Sequence, residues 1–170
     1  MSYFVESCRN KCNGKNIARK MGDNGMKFSD VLKELLEEKN ITIPKLSKQL
    51  IIDDSTLYDY LYGALPSVKN AVKLANYFDC TINFLMGLDD EPKMFAFQYD
   101  YKIENFIARY NNLLTDANTT HFKLSKICGV NYSSYYSWQM GGVPAMSSLL
   151  ILSRYFDVSI DYLIGRSDIM

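Results

Sequence analysis

The sequence predicts an all-α protein that contains two tandem copies of one five-helix domain. Residues 28–90 align with residues 106–168 without a gap, at a constant offset of 78 residues, and about a third of the aligned positions are identical. Apolar side chains recur in both copies at the spacing of amphipathic helices. The identical positions fall where a small helical core is built and ended: Leu35/Leu113, Leu36/Leu114, Leu46/Leu124, Leu74/Leu152, Phe78/Phe156, Ile82/Ile160, Leu85/Leu163 and Gly87/Gly165.

The repeat sets the predicted domain boundaries. We predict a basic N-terminal arm at residues 1–27, a first domain at 28–90, a connector at 91–101 and a second domain at 102–168. The connector is rich in aromatic residues: Phe95, Phe97, Tyr99 and Tyr101. Because domains of roughly sixty residues have small cores, we expect these side chains to pack the domains against each other. A strip for stacking nucleic-acid bases is the alternative.

Composition indicates a globular protein. Apolar residues make up 48% of the chain, and only 9 Gly and 4 Pro are present among 170 residues, which argues against disorder. No apolar run approaches the roughly 18 residues of a membrane span, and residues 1–27 lack the apolar core of a signal peptide. We therefore expect a cytoplasmic protein that does not associate with membranes.

Charge is distributed unevenly although the net charge is zero. Lys and Arg minus Asp and Glu gives +4 for residues 1–27, −5 for 28–91 and +1 for 92–170. The basic arm is suited to a phosphate backbone, because cations that neutralise phosphates release condensed counterions. Alternatively, the arm is a frayed terminus or an upstream extension.

The cysteines do not predict a metal site. Cys8, Cys12, Cys80 and Cys128 do not recur between the copies, so they form no repeated disulfide or metal framework. Cys8 and Cys12 have the spacing of half a zinc site, but no second pair lies at a suitable distance. We expect thiols, and we predict no metal and no cofactor.

The first two helices of each copy follow from apolar spacing and capping residues. Helix one should run from Ser29 to Lys39 in the first copy, and Thr42 or Thr120 should cap helix two. The chain should then turn at Ile51 or Gly129. Glycine adopts positive φ without penalty, so Ile51 predicts a first turn that is strained or differently shaped.

The remaining helices are bounded by similar signals. Asp53 and Asn131 should cap helix three, and helix three should end at Gly63 or Gly141. Helix four follows Pro66 or Pro144 in each copy. A last short helix should begin after Thr81 or Ser159 and bury apolar residues.

A short helix, a three- or four-residue turn and a second short helix allow one helix to enter the DNA major groove while the other braces it. In the first copy, Leu46-Ser47-Lys48, Ile52 followed by Asp53 to Gly63 with Pro66, and Phe78 to Gly87 resemble the helix-turn-helix domain of the phage Cro and repressor family. The second copy resembles it more closely, through Leu124 to Trp138, which includes Gly129, and through Arg154 to Gly165. The resemblance implies two repressor-like helix-turn-helix domains.

The resemblance also implies that helix three is the recognition helix, and periodicity independently predicts its faces. In the second copy, Tyr135 and Trp138 should face inward, and the outward residues should be Tyr132, Ser133, Tyr136, Ser137 and Met140. Hydroxyls can meet base edges or phosphates, and an exposed Tyr or Met can pack on a thymine methyl. This face lacks the Arg or Gln that specifies guanine or adenine strongly, because Gln139 is close but lies off its centre. A merely solvated polar helix is the alternative.

The first copy is less suited to DNA. Its outward positions should be Asp54, Ser55, Tyr58, Asp59 and Tyr62, so two carboxylates would approach a polyanion. Asp54 also favours the dipole at the start of its own helix, whereas Asp59 does not. A face that binds another protein is the alternative for this copy.

Backbone contacts are predicted near the start of helix two. Lys45 and Lys48 recur in register as Lys123 and Lys126, and we place all four near phosphates. Thr120 and His121 complete the predicted contacts, although the family commonly has a glutamine at the position of His121. A solvating surface role is the alternative for these lysines and for the histidine. The predicted DNA-binding set is therefore Thr120, His121, Lys123, Lys126, Tyr132, Ser133, Tyr136, Ser137, Lys45, Lys48, Ser55 and Tyr58.

These features predict a non-enzymatic regulator that binds double-stranded DNA, acts as a repressor and reads bases mainly through its second domain. Two domains in one chain can span half-sites roughly 34 Å apart. The alternative is a protein-interaction module whose acidic first domain binds a basic partner or mediates homodimerisation. An enzyme is disfavoured, because the chain shows no glycine-rich phosphate loop and no paired nucleophile and base.

Overall fold

A computed structural model describes residues 27–92 and 102–170 of the chain. The chain divides into two compact units, with residues 24–100 in one and residues 101–170 in the other. Within the described residues, each unit contains five α-helices and neither contains a strand, which confirms the all-α prediction. The basic arm and the aromatic residues of the connector lie outside the described residues.

The first unit, residues 27–92, has two long helices and three shorter ones: α1 (Phe28–Glu38), α2 (Ile43–Leu50), α3 (Asp54–Leu61), α4 (Val68–Phe78) and α5 (Ile82–Leu85). Helix α1 packs against α3 and α5, and α2 packs against α3 and α4. The core between them is mainly aliphatic, because each helix turns one apolar stripe inward. Its fully buried side chains include Leu32, Leu46, Leu57, Leu74, Ile82 and Leu85.

The second unit, residues 102–170, begins with a 3₁₀ turn at Ile103–Asn105 and repeats the same order: α6 (Phe106–Asp116), α7 (His121–Cys128), α8 (Ser134–Gln139), α9 (Met146–Phe156) and α10 (Ile160–Leu163). Aromatic rings fill much of its core. Phe106 stacks on Tyr110 with ring centroids 5.8 Å apart, and Trp138 meets both rings edge-on at 5.3 and 5.6 Å. Edge-to-face and stacked pairs add to the stabilisation from buried area.

Two arginines hold the C-terminal residues of the second unit against its helices. The Arg109 guanidinium donates to the carbonyl oxygens of Tyr162 and Ser167 at 2.5 and 2.6 Å and pairs with Asp168 at 2.6 Å. Arg166 pairs with Asp161 at 2.5 Å, and both side chains are almost completely buried. These contacts bind the last residues of the chain to α6 and α10.

The predicted capping residues stand at the predicted helix starts, but not all of them cap. Thr120 Oγ1 accepts a hydrogen bond from Lys123 N at 3.3 Å, which confirms its role. Thr42 and Asp53 occupy N-cap positions without a side-chain cap hydrogen bond. Asn131 caps the turn before α8 instead of α8 itself, since its Oδ1 accepts from Ser133 N and Ser133 Oγ at 3.0 and 2.8 Å.

The turn at Ile51 is strained. Ile51 has a φ of 53°, in the left-handed region that disfavours β-branched side chains, while Gly129 has the equivalent φ of 73°. The Lys73 ammonium donates to the carbonyl oxygens of Leu50 and Ile51 at 2.6 and 3.1 Å. This interaction satisfies the carbonyl groups at the end of α2.

Candidate nucleic-acid interface

The second unit presents α8 through the turn that follows α7. Gly129 ends α7 in the left-handed conformation, and Val130 then returns to the core. A Cβ on Gly129 would meet no atom within 4 Å, so the backbone conformation, and not crowding, favours glycine there. The turn therefore orients one face of α8 inward and leaves the other exposed.

The two faces of α8 are as predicted. Trp138 is buried, and Tyr135 is half-buried with its hydroxyl donating to Asn111 Oδ1 at 3.0 Å. On the outward face Tyr132, Tyr136 and Met140 are 63%, 68% and 73% exposed, and Ser133 and Ser137 are also exposed.

Intramolecular hydrogen bonds limit what the outward hydroxyls can do. The Ser133 hydroxyl donates its hydrogen to Asn131 Oδ1, so it presents acceptor lone pairs to a ligand. The Thr120 oxygen accepts from Lys123 N, which leaves its hydrogen free to donate to a phosphate oxygen.

A cationic edge lies beside this face. Lys123 and Lys126 are exposed on α7, and Lys126 Nζ lies 5.5 Å from the centroid of the Phe122 ring. Phe122 meets the Tyr132 ring edge-on at 5.8 Å, which joins the edge to the outward face of α8.

Sequence reasoning missed Phe122, which is an exposed aromatic residue at this site. The buried stripe of α7 consists of His121, Leu124 and Cys128. Residue 122 lies off that stripe, so helical periodicity could have predicted that the Phe122 side chain is exposed.

The predicted phosphate contact of the His121 side chain is wrong, because that side chain is buried and only 5% exposed. Its Nε2 lies 3.3 Å from the Asn131 carbonyl oxygen, which can only accept, so Nε2 carries the proton. Nδ1 then accepts from the Tyr110 hydroxyl at 2.7 Å. Burial lowers the pKa of His121 and raises that of Tyr110, so both groups are neutral near pH 7.

The first unit presents a different surface at the equivalent helices. Asp54, Ser55 and Asp59 are exposed on α3 together with Tyr58 and Tyr62, as predicted. Tyr62 is 88% exposed. Lys45 and Lys48 are exposed on α2. The outward face of α3 therefore combines two carboxylates with two phenol rings.

Residues 32–85 match the family model described as helix-turn-helix, of the Cro and repressor (XRE) type. They form a helix-turn-helix domain. The match begins within α1, ends at the last residue of α5 and includes α2, the turn at Ile51 and α3. It indicates a DNA-binding transcription regulator. The match falls on the first unit, the copy for which the residues alone suggested the weaker resemblance.

No curated protein and no solved structure matches the chain. Within residues 27–92 and 102–170, no helix has the length and hydropathy needed to cross a lipid bilayer. The same residues contain no cluster of three or more His, Cys, Asp or Glu side chains arranged to hold a metal ion. Cys80 and Cys128 are buried thiols, whereas Cys8 and Cys12 lie outside the described residues.

Proposed function

We propose that the chain is a sequence-specific, double-stranded DNA-binding repressor in which the second unit is the main reader of bases. The observation that carries this proposal is the difference between the outward faces of α8 and α3. The α8 face presents hydroxyls and apolar rings without a carboxylate, whereas the α3 face exposes Asp54 and Asp59.

Electrostatics favours α8 over α3 as the reading helix. A carboxylate that approaches DNA is repelled by the phosphates and must lose its hydration, and among base edges in the major groove it can accept only from donors such as cytosine N4. The Ser133 and Ser137 hydroxyls and the Tyr136 phenol carry no such penalty. We therefore assign base contacts to Tyr132, Ser133, Tyr136 and Ser137, and weaker ones to Ser55 and Tyr58.

The exposed lysines supply sequence-independent affinity. Lys123 and Lys126 are exposed on α7, and Lys45 and Lys48 are exposed on α2. We assign all four to backbone phosphates. Thr120 adds a hydroxyl donor at the start of α7.

The test is a selection from random duplex DNA at low salt with the full chain, followed by anisotropy titrations of the selected duplex and a scrambled one. We expect at least a thousandfold preference for the selected duplex. Lys123→Ala/Lys126→Ala should weaken binding to both duplexes and reduce the salt slope by about two. Ser133→Ala/Tyr136→Ala should instead reduce the preference.

The equivalent first-unit variants are the matched controls. Lys45→Ala/Lys48→Ala and Ser55→Ala/Tyr58→Ala should have smaller effects if the second unit is the main reader. Larger effects from the first-unit pairs would overturn that assignment. A reporter gene that carries the selected duplex in its promoter tests the sign of regulation, because repression predicts lower transcription when the chain is present.

A second candidate function rests on the exposed apolar side chains of the first unit. Ile51 is 86% exposed and lies on the same domain as the exposed Tyr62 and the carboxylates of α3. Exposed apolar side chains on a domain that also exposes carboxylates suit a basic protein partner or a second copy of the chain. Sedimentation equilibrium of the chain and of Tyr62→Ser tests the homodimer, which predicts a dimer that Tyr62→Ser dissociates.

A further inference from the structure

One row of exposed apolar side chains runs along the second unit. Tyr132, Tyr136 and Met140 follow one another at four-residue spacing. Tyr136 lies on the outward face of α8, Tyr132 lies two residues before that helix, and Met140 directly follows it. Phe122 adjoins Tyr132 at one end, and Val143 follows Met140 along the chain at the other. All five side chains are more than half exposed. We call this row, residues 122, 132, 136, 140 and 143, the apolar strip.

The polar groups beside the apolar strip are poor at distinguishing base pairs. Strong readout of guanine requires Arg or Lys, and that of adenine requires Asn or Gln. The five outward positions (132, 133, 136, 137 and 140) hold only Tyr, Ser and Met, and the exposed Gln139 lies off the centre of that face. Asn131 is engaged by Ser133, and the Ser133 hydroxyl has committed its hydrogen to Asn131. Bidentate hydrogen bonding therefore does not account for specificity at the centre of this face.

The major groove offers one apolar feature, which is the C5-methyl group of thymine. A row of exposed rings and a thioether gains by removing such methyl groups from water. Lys126 Nζ lies 5.5 Å from the centroid of the Phe122 ring at one end of the apolar strip, and the exposed Lys123 follows Phe122 in the chain. Both ammonium groups are suited to backbone phosphates. We propose that the apolar strip reads thymine C5-methyl groups, so that the second unit selects thymine by apolar contact at two or more positions of its site. This inference rests on the proposed DNA binding of the second unit.

The first unit shows why we assign the apolar contact with thymine to α8 and not to α3. Tyr58, Tyr62 and Leu65 are exposed at the positions equivalent to Tyr136, Met140 and Val143. However, Asp54 replaces Tyr132 and Asp59 replaces Ser137. Apolar contact at α3 would therefore bring carboxylates against DNA, which makes Tyr62 a matched control for Met140.

The test uses the selected duplex, synthesised with deoxyuridine in place of each thymidine in turn, in anisotropy titrations with the full chain. Uracil pairs like thymine but lacks the C5-methyl group. Removing one contacted methyl should weaken binding about fourfold, from roughly 0.8 kcal/mol per buried carbon. We expect this loss at two or more thymines and unchanged binding at the others.

Variants separate the methyl contact from any effect of uracil on DNA shape. Tyr136→Ala and Met140→Ala should each lose the discrimination between thymine and uracil at the position that the replaced side chain contacts, whereas Tyr62→Ala should keep the discrimination at every position. All three residues are exposed, and Trp138 fluorescence verifies that the second unit stays folded. Discrimination that persists at every thymine in both Tyr136→Ala and Met140→Ala would overturn the inference.

The remaining outcomes are distinct. Sequence-specific binding that ignores every uracil substitution overturns the inference and leaves the proposed function standing. Absence of a selected sequence overturns both. A molar mass that falls on Tyr136→Ala would show that a second copy of the chain covers the apolar strip, and would overturn the inference as well.

Discussion

Leu32, Ile43 and Leu57 are buried in the core of the first unit, whereas the equivalent positions of the second unit hold Tyr110, His121 and Tyr135. The second set makes a chain of contacts: the Tyr110 hydroxyl donates to His121, His121 donates to the Asn131 carbonyl, and the His121 ring stacks on Tyr135 with centroids 4.9 Å apart. The comparison shows that one helical scaffold accepts either an aliphatic core or a polar aromatic core, provided that each buried donor meets an acceptor.

The same contrast recurs at the ends of the two units. The buried pair of Asp161 and Arg166 in the second unit corresponds to Asn83 and Leu88 in the first. The strained Ile51 in the first unit corresponds to Gly129 in the second. The buried ion pair carries a desolvation cost that Asn83 and Leu88 avoid, and Ile51 carries backbone strain that Gly129 avoids. Exchanging these residues between the units tests the comparison.

The largest expected effect comes from the buried ion pair. Asp161→Asn should destabilise the second unit by about 3 kcal/mol, because it leaves the Arg166 charge buried without its carboxylate. Adding Arg166→Leu, which completes the residues of the first unit, should recover most of that loss. Urea denaturation followed by Trp138 fluorescence measures this, since Trp138 is the single tryptophan of the chain.

Asp168→Asn is the control for the ion pair. Asp168 also pairs with an arginine, but its side chain is 85% exposed, so its loss should cost less than about 1 kcal/mol. Equal losses for Asp161→Asn and Asp168→Asn would contradict the importance of burial.

The second largest expected effect is a pH dependence of the stability of the second unit. The pKa of His121 is lowered in the folded state, so the unfolded chain binds more protons once the pH falls below about 6.5. The stability contributed by neutral His121 is therefore complete above that pH and is lost as the pH falls, by at most about 1.4 kcal/mol per pH unit. Thermal unfolding monitored by Trp138 between pH 7 and pH 5 measures the slope.

His121→Gln is the matched variant for the pH dependence. Glutamine can accept from Tyr110 and donate to Asn131 but does not titrate. The variant should lack the part of the slope that begins near pH 6.5, and an unchanged slope would show that other groups cause it. The first unit has Ile43 at this position and should show no such component.

A smaller effect is expected at the turn between the two short helices. Ile51→Gly should stabilise the first unit by about 1 kcal/mol, because it removes the cost of a β-branched residue at positive φ and loses little packing from an exposed side chain. Gly129→Ile should destabilise the second unit by a similar amount. Far-UV circular dichroism in urea follows both, and Trp138 fluorescence should respond only to the second. Two changes of the same sign would break the comparison.

The smallest expected change in stability concerns Lys73. Its ammonium donates hydrogen bonds to the Leu50 and Ile51 carbonyl oxygens of the strained turn. Lys73→Met keeps most of the aliphatic stem and should cost about 0.5–1.5 kcal/mol. If Lys73 compensates for the strain, the cost should be smaller in Ile51→Gly, and a double-mutant cycle by urea denaturation measures the coupling. Strictly additive changes in unfolding free energy would show that the Lys73 hydrogen bonds and the strain at Ile51 are independent.

Local patterns predicted most of the helical framework. The apolar stripes predicted the position of every helix to within a few residues. The alternation of Trp138 with Tyr136 predicted which faces of α8 point inward and outward. Both predictions depend only on the 3.6-residue period of a helix. Ile51 could be identified as unusual because glycine stands at the equivalent position of the other copy.

The candidate site was harder to predict where side chains meet across helices. His121 appeared to be a surface residue, although alignment with buried Ile43 was a signal of its burial. Its hydrogen-bond partners, Tyr110 and Asn131, lie 11 and 10 residues away. No local pattern brings those three residues together, because their proximity depends on how α6, α7 and the following turn pack.

Short-range patterns in the sequence were sufficient to predict the repeat, the all-α class, the helix boundaries and the outward faces of α3 and α8. Each of these depends on the chemistry of residues a few positions apart. Only the tertiary structure decided that His121 is buried and neutral, that Phe122 adjoins Tyr132, and that Arg166 and Asp161 form an ion pair inside the second unit. These outcomes depend on which side chains and backbone groups lose water together when the helices pack, and that partner choice is not encoded in any single helix.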